Sequence, residues 1–464
     1  MKKIVLSLVL LTGICLLVGC YPKRVVWSSD GKWAAVTGTD TLYFCDSKGK
    51  ITEKIRDGIL KAEWFPNEYR LAIQRGIRVN NWQLMEANIP EAKRQKLIQH
   101  IKSLSDVNDA LEWKIKTDTL VDTKVLSRNE IKGVILYLRD KSPNKLPQTV
   151  VDSWPKNINF DYYFMEIGLW KDGKFTTEKT LWSSDEKVWD IRISSKGRVI
   201  AFTSVYSDSD EDDGSNYSTL WVADCDTGQV IPADKNVALY PDWSTDGKSL
   251  FYVRSISETN PGNVIGTLLK GQICDDSGAL LTNTKYPEAL AGLIINAYTK
   301  VRCLSDGRIV FSSIEVSLPT IGADVPQQKQ LFTLDPKRQV TITRLIPRGT
   351  LDQAEDYNID FFEVSPDETM ISIPSDEGRV AVFYPSTGEF KVLQAEDMDH
   401  VKTVPVWRYP NDLCYVNVNK STDEKQAEQS KDVVLQAPTE GKEWSEPRSI
   451  SKSWPSEARD NWLE

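Results

Sequence analysis

The sequence predicts an all-β fold: a single β-propeller of seven blades, within a range of six to eight, carrying small helical insertions. Three observations lead there. A six-residue motif recurs, best preserved at Trp27-Ser28-Ser29-Asp30-Gly31-Lys32 and Trp243-Ser244-Thr245-Asp246-Gly247-Lys248. Each copy is followed by a short apolar or β-prone run. A unit of that size cannot bury both faces of its sheet alone, whereas copies stacked radially bury one another.

Each element follows from the motif. With the residue three places before the turn taken as a reference slot, the slots fall at Trp27, Trp64, Ile193, Trp243, Cys303 and Val364. Trp407 fits with one extra residue before Asn411. The turns are Asp30-Gly31, Asn67-Glu68, Lys196-Gly197, Asp246-Gly247, Asp306-Gly307 and Asp367-Glu368. Asp-Gly between apolar runs signals a hairpin, because Gly accepts the positive φ of a tight turn. Pro66 and Pro366 pre-set φ at the entry to two of the turns. The runs that follow, at 33–36, 70–73, 199–202, 250–253, 309–312, 370–373 and 413–416, suit strands buried on both faces. Several copies continue into a second hairpin, such as Leu42-Tyr43-Phe44 before Asp46 and Gly49. One unit therefore reads strand, turn, strand, loop, strand, turn, strand.

The pattern Trp-Ser-x-Asp-Gly-Lys, an apolar strand, then an aromatic strand ending in Asp-x-x-x-Gly, resembles the TolB-type propeller repeat, a relative of WD repeats. The resemblance covers nearly all of residues 25–464. The copies at 27, 243 and 364 match well, those at 193 and 303 in part, and those at 64 and 407 loosely. It implies a propeller and no particular activity, since propellers host many.

Residues 1–19 read as a secretion signal: Lys2 and Lys3, then an apolar run from Ile4 to Val18 too short for a spanning helix. The run ends in Leu17-Val18-Gly19-Cys20, which resembles a bacterial lipobox. That resemblance implies cleavage before Cys20 and its acylation, leaving residues 20–24 as a short tether and 25–464 as the propeller. The ring is then expected within ~20 Å of the bilayer, at ~3.5 Å per tether residue. Tyr21, rather than Asp, after the acylated Cys favours the outer membrane by resemblance to enterobacterial sorting.

The chain of 464 residues carries a formal net charge of −9. Loss of Lys2 and Lys3 takes the 57 basic residues to 55 against 66 acidic ones, or −11. Such a surface argues against nonspecific binding to nucleic acid or anionic lipid. Five cysteines remain beyond Cys20: Cys45, Cys225, Cys274, Cys303 and Cys414. No two share a metal-ligand spacing, and they allow one or two disulfides at most.

Slots Trp64 and Ile193 lie 129 residues apart, so the second blade carries a large insertion. Helices are expected at 91–104 and 107–115, within an insertion near 85–116; the gap also leaves room for an extra blade around 131–138. Leu97, Ile98 and Ile101 give the first helix an apolar stripe. A second helical insertion is expected near 283–299, from Pro287, Leu290, Leu293, Ile294 and Ile295. The acidic segment 208–214 fails the EF-hand register and reads as a solvated hairpin tip. Residues 421–431 read as a loop.

The only histidines are His100 and His400, and no Gly-x-Ser-x-Gly elbow, P-loop or dinucleotide fingerprint occurs. No catalytic residue, metal ligand or cofactor is assigned. Trp82, Trp113, Trp154 and Tyr206 are candidate sugar-stacking residues, with packing the alternative. Two functions are carried forward. One is an envelope lipoprotein, anchored through Cys20, whose propeller binds other envelope proteins without catalysis. The other is an envelope hydrolase of a glycan or small ester, using carboxylate or calcium chemistry in the channel. Converging carboxylates at the channel mouth point to the second; an apolar patch beside the insertions points to the first.

Overall fold

The computed structural model describes residues 23–459 apart from 39, 124, 143–145, 207–217, 257–263, 283–285, 315–328, 338–341, 348–356, 376–378, 394–403, 420–429 and 440–442. Its strands form antiparallel four-stranded meanders at 25–57, 59–184, 186–237, 242–295, 301–344, 363–392 and 406–449. The third and fourth meet edge to edge through one pair, Val237 and Arg254, and so form one eight-stranded sheet. The fold is the expected propeller, and its first strand begins at Val25.

Packing between neighbours closes the ring. An apolar cluster lies between each consecutive pair of units, such as Phe44, Trp64 and Trp170 between the first and second. Val25, Trp27 and Cys45 of the first unit pack on Cys414, Val416 and Leu435 of the last. Arg408 Nε donates to Gly31 O at 2.9 Å across that seam, and Trp454 Nε1 donates to Gly49 O at 3.1 Å. Two seam glycines are sterically required. Gly31 and Gly49 have φ of 66° and 94°, and a Cβ on either would lie within 2.6 Å of a carbonyl, Tyr409 O or Ile450 O respectively.

The recurring motif acts through its side chains. Ser28, Ser244 and Ser365 donate to Asp30, Asp246 and Asp367 at 2.6–2.8 Å. Each of these carboxylates accepts the backbone N–H two residues on. Each serine Oγ accepts the N–H five residues on, closing the turn from both sides. The slot tryptophans reach sideways: Trp64, Trp243 and Trp407 donate Nε1 to Val26 O, Arg192 O and Glu363 O of the preceding unit, at 2.7–3.0 Å. Each acceptor sits one residue before its own unit's slot.

These turns carry a pH dependence. Burial pushes the Asp30, Asp246, Asp306 and Asp367 carboxyls up, but hydrogen bonds to the ionised form outweigh it and hold them below the usual range. Their folded values lie below the unfolded value of about 3.9. The stability they contribute is therefore complete above that value and lost as pH falls through the folded values. The urea midpoint is expected to drop steeply below about pH 4. In Asp246→Asn the drop should be shallower.

The insertion in the second unit is larger than expected. It comprises α1 (Trp82–Asn88), α2 (Glu91–Ser105), α3 (Ala110–Asp122), α4 (Arg128–Lys141) and α5 (Gln148–Asp152). The stretch 131–138, weighed as an extra blade, lies within α4, opened by a capping box of Ser127 and Glu130. Leu97, Ile101, Trp113, Val134 and Leu138 build its own core on the strand ends Val79 and Phe160. The helix expected near 283–299 is instead a strand, Glu288–Ile295, paired with Val264–Gln272. The available partner edge overrides the helical spacing of Leu290, Leu293 and Ile294, as tertiary context does for short apolar runs. The last helix is α6 (Ser456–Arg459).

The two rims differ. One, the turn face, holds the slot turns and the hairpins between third and fourth strands. On the other, the connection face, second strands pass to third strands and fourth strands to the next unit. The insertion, between the strands Arg70–Val79 and Phe160–Lys171, belongs to the connection face.

Candidate functional site

Side chains alternate along a strand, so every second residue of a first strand faces the ring axis. In the second to seventh units the positions three before the slot are Lys61, Asp190, Tyr240, Lys300, Phe361 and Val404, and these six line one axial channel with Lys23. The positions one before the slot are charged in five consecutive units: Glu63, Arg192, Asp242, Arg302 and Glu363. Their sign alternates round the ring.

Glu363 is the centre of an ion cluster. Glu363 accepts from Lys300 Nζ and Lys23 Nζ at 2.6 Å each and from Arg302 Nη2 at 3.3 Å. Burial would raise the Glu363 carboxyl; Lys23, Lys300 and Arg302 outweigh it and hold it well below the usual carboxylate range. Burial and the adjacent Arg302 push Lys300 well below the ordinary lysine value. Its ammonium also lies over the Tyr240 and Phe362 rings, 5.7 and 5.4 Å from their centroids. Arg192 Nε donates to Asp190 at 2.7 Å, and Asp242 accepts the backbone N–H of Cys303 at 2.9 Å. Burial raises the Glu63 carboxyl, with Lys23 and Arg192 drawing it back. Asp360, nearby, accepts from Ser312 Oγ at 2.7 Å and from Lys329.

The channel holds about 40 Å³ beside these groups, which is room for a few waters. Among the described residues no cluster of three His, Cys, Asp or Glu side chains is placed to hold a metal ion. The carboxylates converge as the hydrolase reading requires, yet lysine and arginine meet them there.

The larger opening lies on the insertion. A groove of about 910 Å³ runs between α3 and α4, walled by Leu111, Lys114, Asp118, Arg128, Lys132 and Ile135. Leu111 and Ile115, one turn apart on α3, are 68% and 57% exposed, so an apolar patch stands beside the groove.

Cys20 and His400 lie outside the described residues, as do the acidic segment 208–214 and residues 421–429. His100 sits on α2 of the insertion and is not among the residues lining the channel. Trp82 and Trp113 are buried in the insertion core and Trp154 packs on Trp113, so these three are packing residues. Tyr206 ends a strand of the third unit. The five cysteines are free; burial pushes the Cys45, Cys225, Cys303 and Cys414 thiols up to about 12 and Cys274 up to about 11, so none is a thiolate at neutral pH. The channel charges were missed in the sequence. The signal for them was the run of charged residues one place before each slot, in strands otherwise buried.

No family profile and no curated protein matches the sequence. Among solved structures, TolB from Acinetobacter baumannii aligns at 18% identity over 62% of each chain, with a TM-score of 0.36. Kuenenia stuttgartiensis hydrazine synthase aligns at 13% over 80% of each chain, with a TM-score of 0.41. A puromycin-hydrolyzing peptidase of Mycobacterium tuberculosis aligns at 11% over 89% of this chain and 50% of its own, with a TM-score of 0.44. The chain thus spans about three fifths of that TolB and half of that peptidase. The likeness is one of fold.

Proposed function

We propose that this chain is an envelope lipoprotein, anchored through acylated Cys20, whose seven-bladed propeller is a non-enzymatic scaffold for another envelope protein. The observation that carries the reading is the contrast between its two openings. The axial channel is narrow, its Glu363 is matched by Lys23, Lys300 and Arg302, and its Asp190 by Arg192. The insertion instead offers an open groove walled by Lys114, Asp118, Arg128 and Lys132 on a rigid support. Its mixed walls, with Lys114 and Lys132 among Asp118 and Asp122, suit a protein segment of both charges.

A photo-crosslinking side chain at Asp118, on the groove wall, tests this in intact cells. A discrete protein adduct is expected from position 118, and none from Lys174 at the opposite rim. Lys132→Glu should reduce the adduct. Equal labelling from both positions would remove the groove as the binding surface.

A further inference from the structure

We infer that the insertion is a foot that rests on the lipid surface, with Leu111 and Ile115 of α3 at headgroup depth and the connection face turned toward the bilayer. The inference rests on the anchored reading above and adds an orientation to it. It follows from where Lys23 is held and how far the tether reaches.

Lys23 is the first described residue, and its ammonium is fixed across the channel, 2.6 Å from Glu363 of the sixth unit. The tether is therefore rooted over the ring axis, at the connection face. Lys23 stands four residues before its slot, level with Leu60 in the second unit. From Lys23 back to Cys20 are three residues, a reach of at most about 11 Å.

The insertion stands taller than that. In the second unit Ile59 pairs with Arg75, and the second strand then continues four residues to Val79, which pairs with Phe160. At about 3.3 Å per residue this stalk alone rises ~13 Å past the start of the first strand. Helices of ~10 Å diameter are packed on top of it. A lipid held by Cys20 thus brings the bilayer nearer to the ring than the insertion's height allows, unless the insertion meets the bilayer. The residues exposed there fit that contact. Leu111 and Ile115 are two of the large apolar side chains left most open to solvent in the described protein. Trp113 and Thr117 hold the helix to the insertion core, which leaves Leu111 and Ile115 facing outward with Lys114 and Lys116 beside them. The overall negative charge gives no electrostatic pull to anionic lipid, so the contact depends on the tether.

The test uses the full mature chain, produced with its lipid and reconstituted into phosphatidylethanolamine–phosphatidylglycerol vesicles whose acyl chains carry nitroxides. A fluorophore is attached at Leu111→Cys on the insertion or at Lys174→Cys on the turn face of the same unit. The parent chain gives the background from its own shielded thiols. Quenching several-fold stronger at 111 than at 174 is expected. Equal quenching, or stronger quenching at 174, on protein whose Cys20 is acylated would overturn the orientation. Acylation is read separately, from the mass of the N-terminal fragment. An unmodified Cys20 would overturn the anchored reading and this inference with it, whatever the quenching.

Discussion

Glu363→Ala is expected to cost about 3–5 kcal/mol of folding stability, the usual consequence of removing one partner from a buried ion cluster. Glu363 is the carboxylate on which Lys300, Arg302 and Lys23 converge. Lys23, 23% exposed, can turn outward once it is gone; Lys300, at 2%, cannot. The variant leaves a buried ammonium beside a buried guanidinium with no counter-charge, and that repulsion adds to the desolvation already borne. Urea unfolding at neutral pH measures the loss. Lys300→Met alone should cost less, because Glu363 keeps Lys23 and Arg302. The double variant Glu363→Gln/Lys300→Met should recover part of the loss, as replacing both partners often does. The depressed folded pKa of Glu363 adds a second signature. Its contribution is present above the unfolded value of about 4.3 and disappears as pH falls through the folded value, so acid should weaken the parent more than Glu363→Ala. A loss below about 1 kcal/mol, the scale of an exposed pair, would show that the cluster is solvated in solution.

What was legible in the sequence was whatever is local. The slot, the Ser and Asp of the turn and the apolar run after it lie within ten residues, and their hydrogen bonds are made within that span. Reading them fixes a strand, a turn and a strand, and repetition fixes the propeller. The stretch 283–299 failed because its outcome is not local. Leu290 and Leu293 are spaced for a helix face, and only the neighbouring strand Val264–Gln272 decides for a strand. In the large insertion, α2 was visible from the apolar spacing of Leu97, Ile98 and Ile101, whereas α3, expected at 107–115, runs from Ala110 to Asp122 behind the N-cap Asp109. The apolar face of α4 left room for an extra blade around 131–138, because a run such as Val134 to Leu138 is buried in either case. The channel is the plainest case. Glu63, Arg192, Asp242, Arg302 and Glu363 look like isolated charges along the chain, and only the ring brings them together. The same holds for Lys23, whose partner lies 340 positions away in sequence.

Trp454→Ala is expected to cost about 3–5 kcal/mol, the range for truncating a buried large aromatic side chain, and to change how the ring unfolds. The reason lies at the seam between the last and first units. Each meander there is complete in itself, so no backbone ladder crosses the seam. The indole-to-carbonyl bond that ties Trp64, Trp243 and Trp407 to their preceding units is not made by Trp27, just as it is absent where Ile193, Cys303 or Val364 holds the slot. Closure falls to the apolar cluster around Cys45, Cys414, Ile450 and Trp454 and to a few cross-seam hydrogen bonds. Trp454 supplies both, being 4% exposed and bonded to Gly49 O at 3.1 Å. Trp64→Ala is the matched control: it removes an equally buried indole and its bond to Val26, but within the ring. Both variants should lower the urea midpoint. Trp454→Ala should in addition lower the slope of the transition, because an opened ring lets its terminal units unfold ahead of the rest. Equal slopes in the two variants would mean that the seam is no weaker than any other junction, and that packing of like wedges suffices to hold the ring shut.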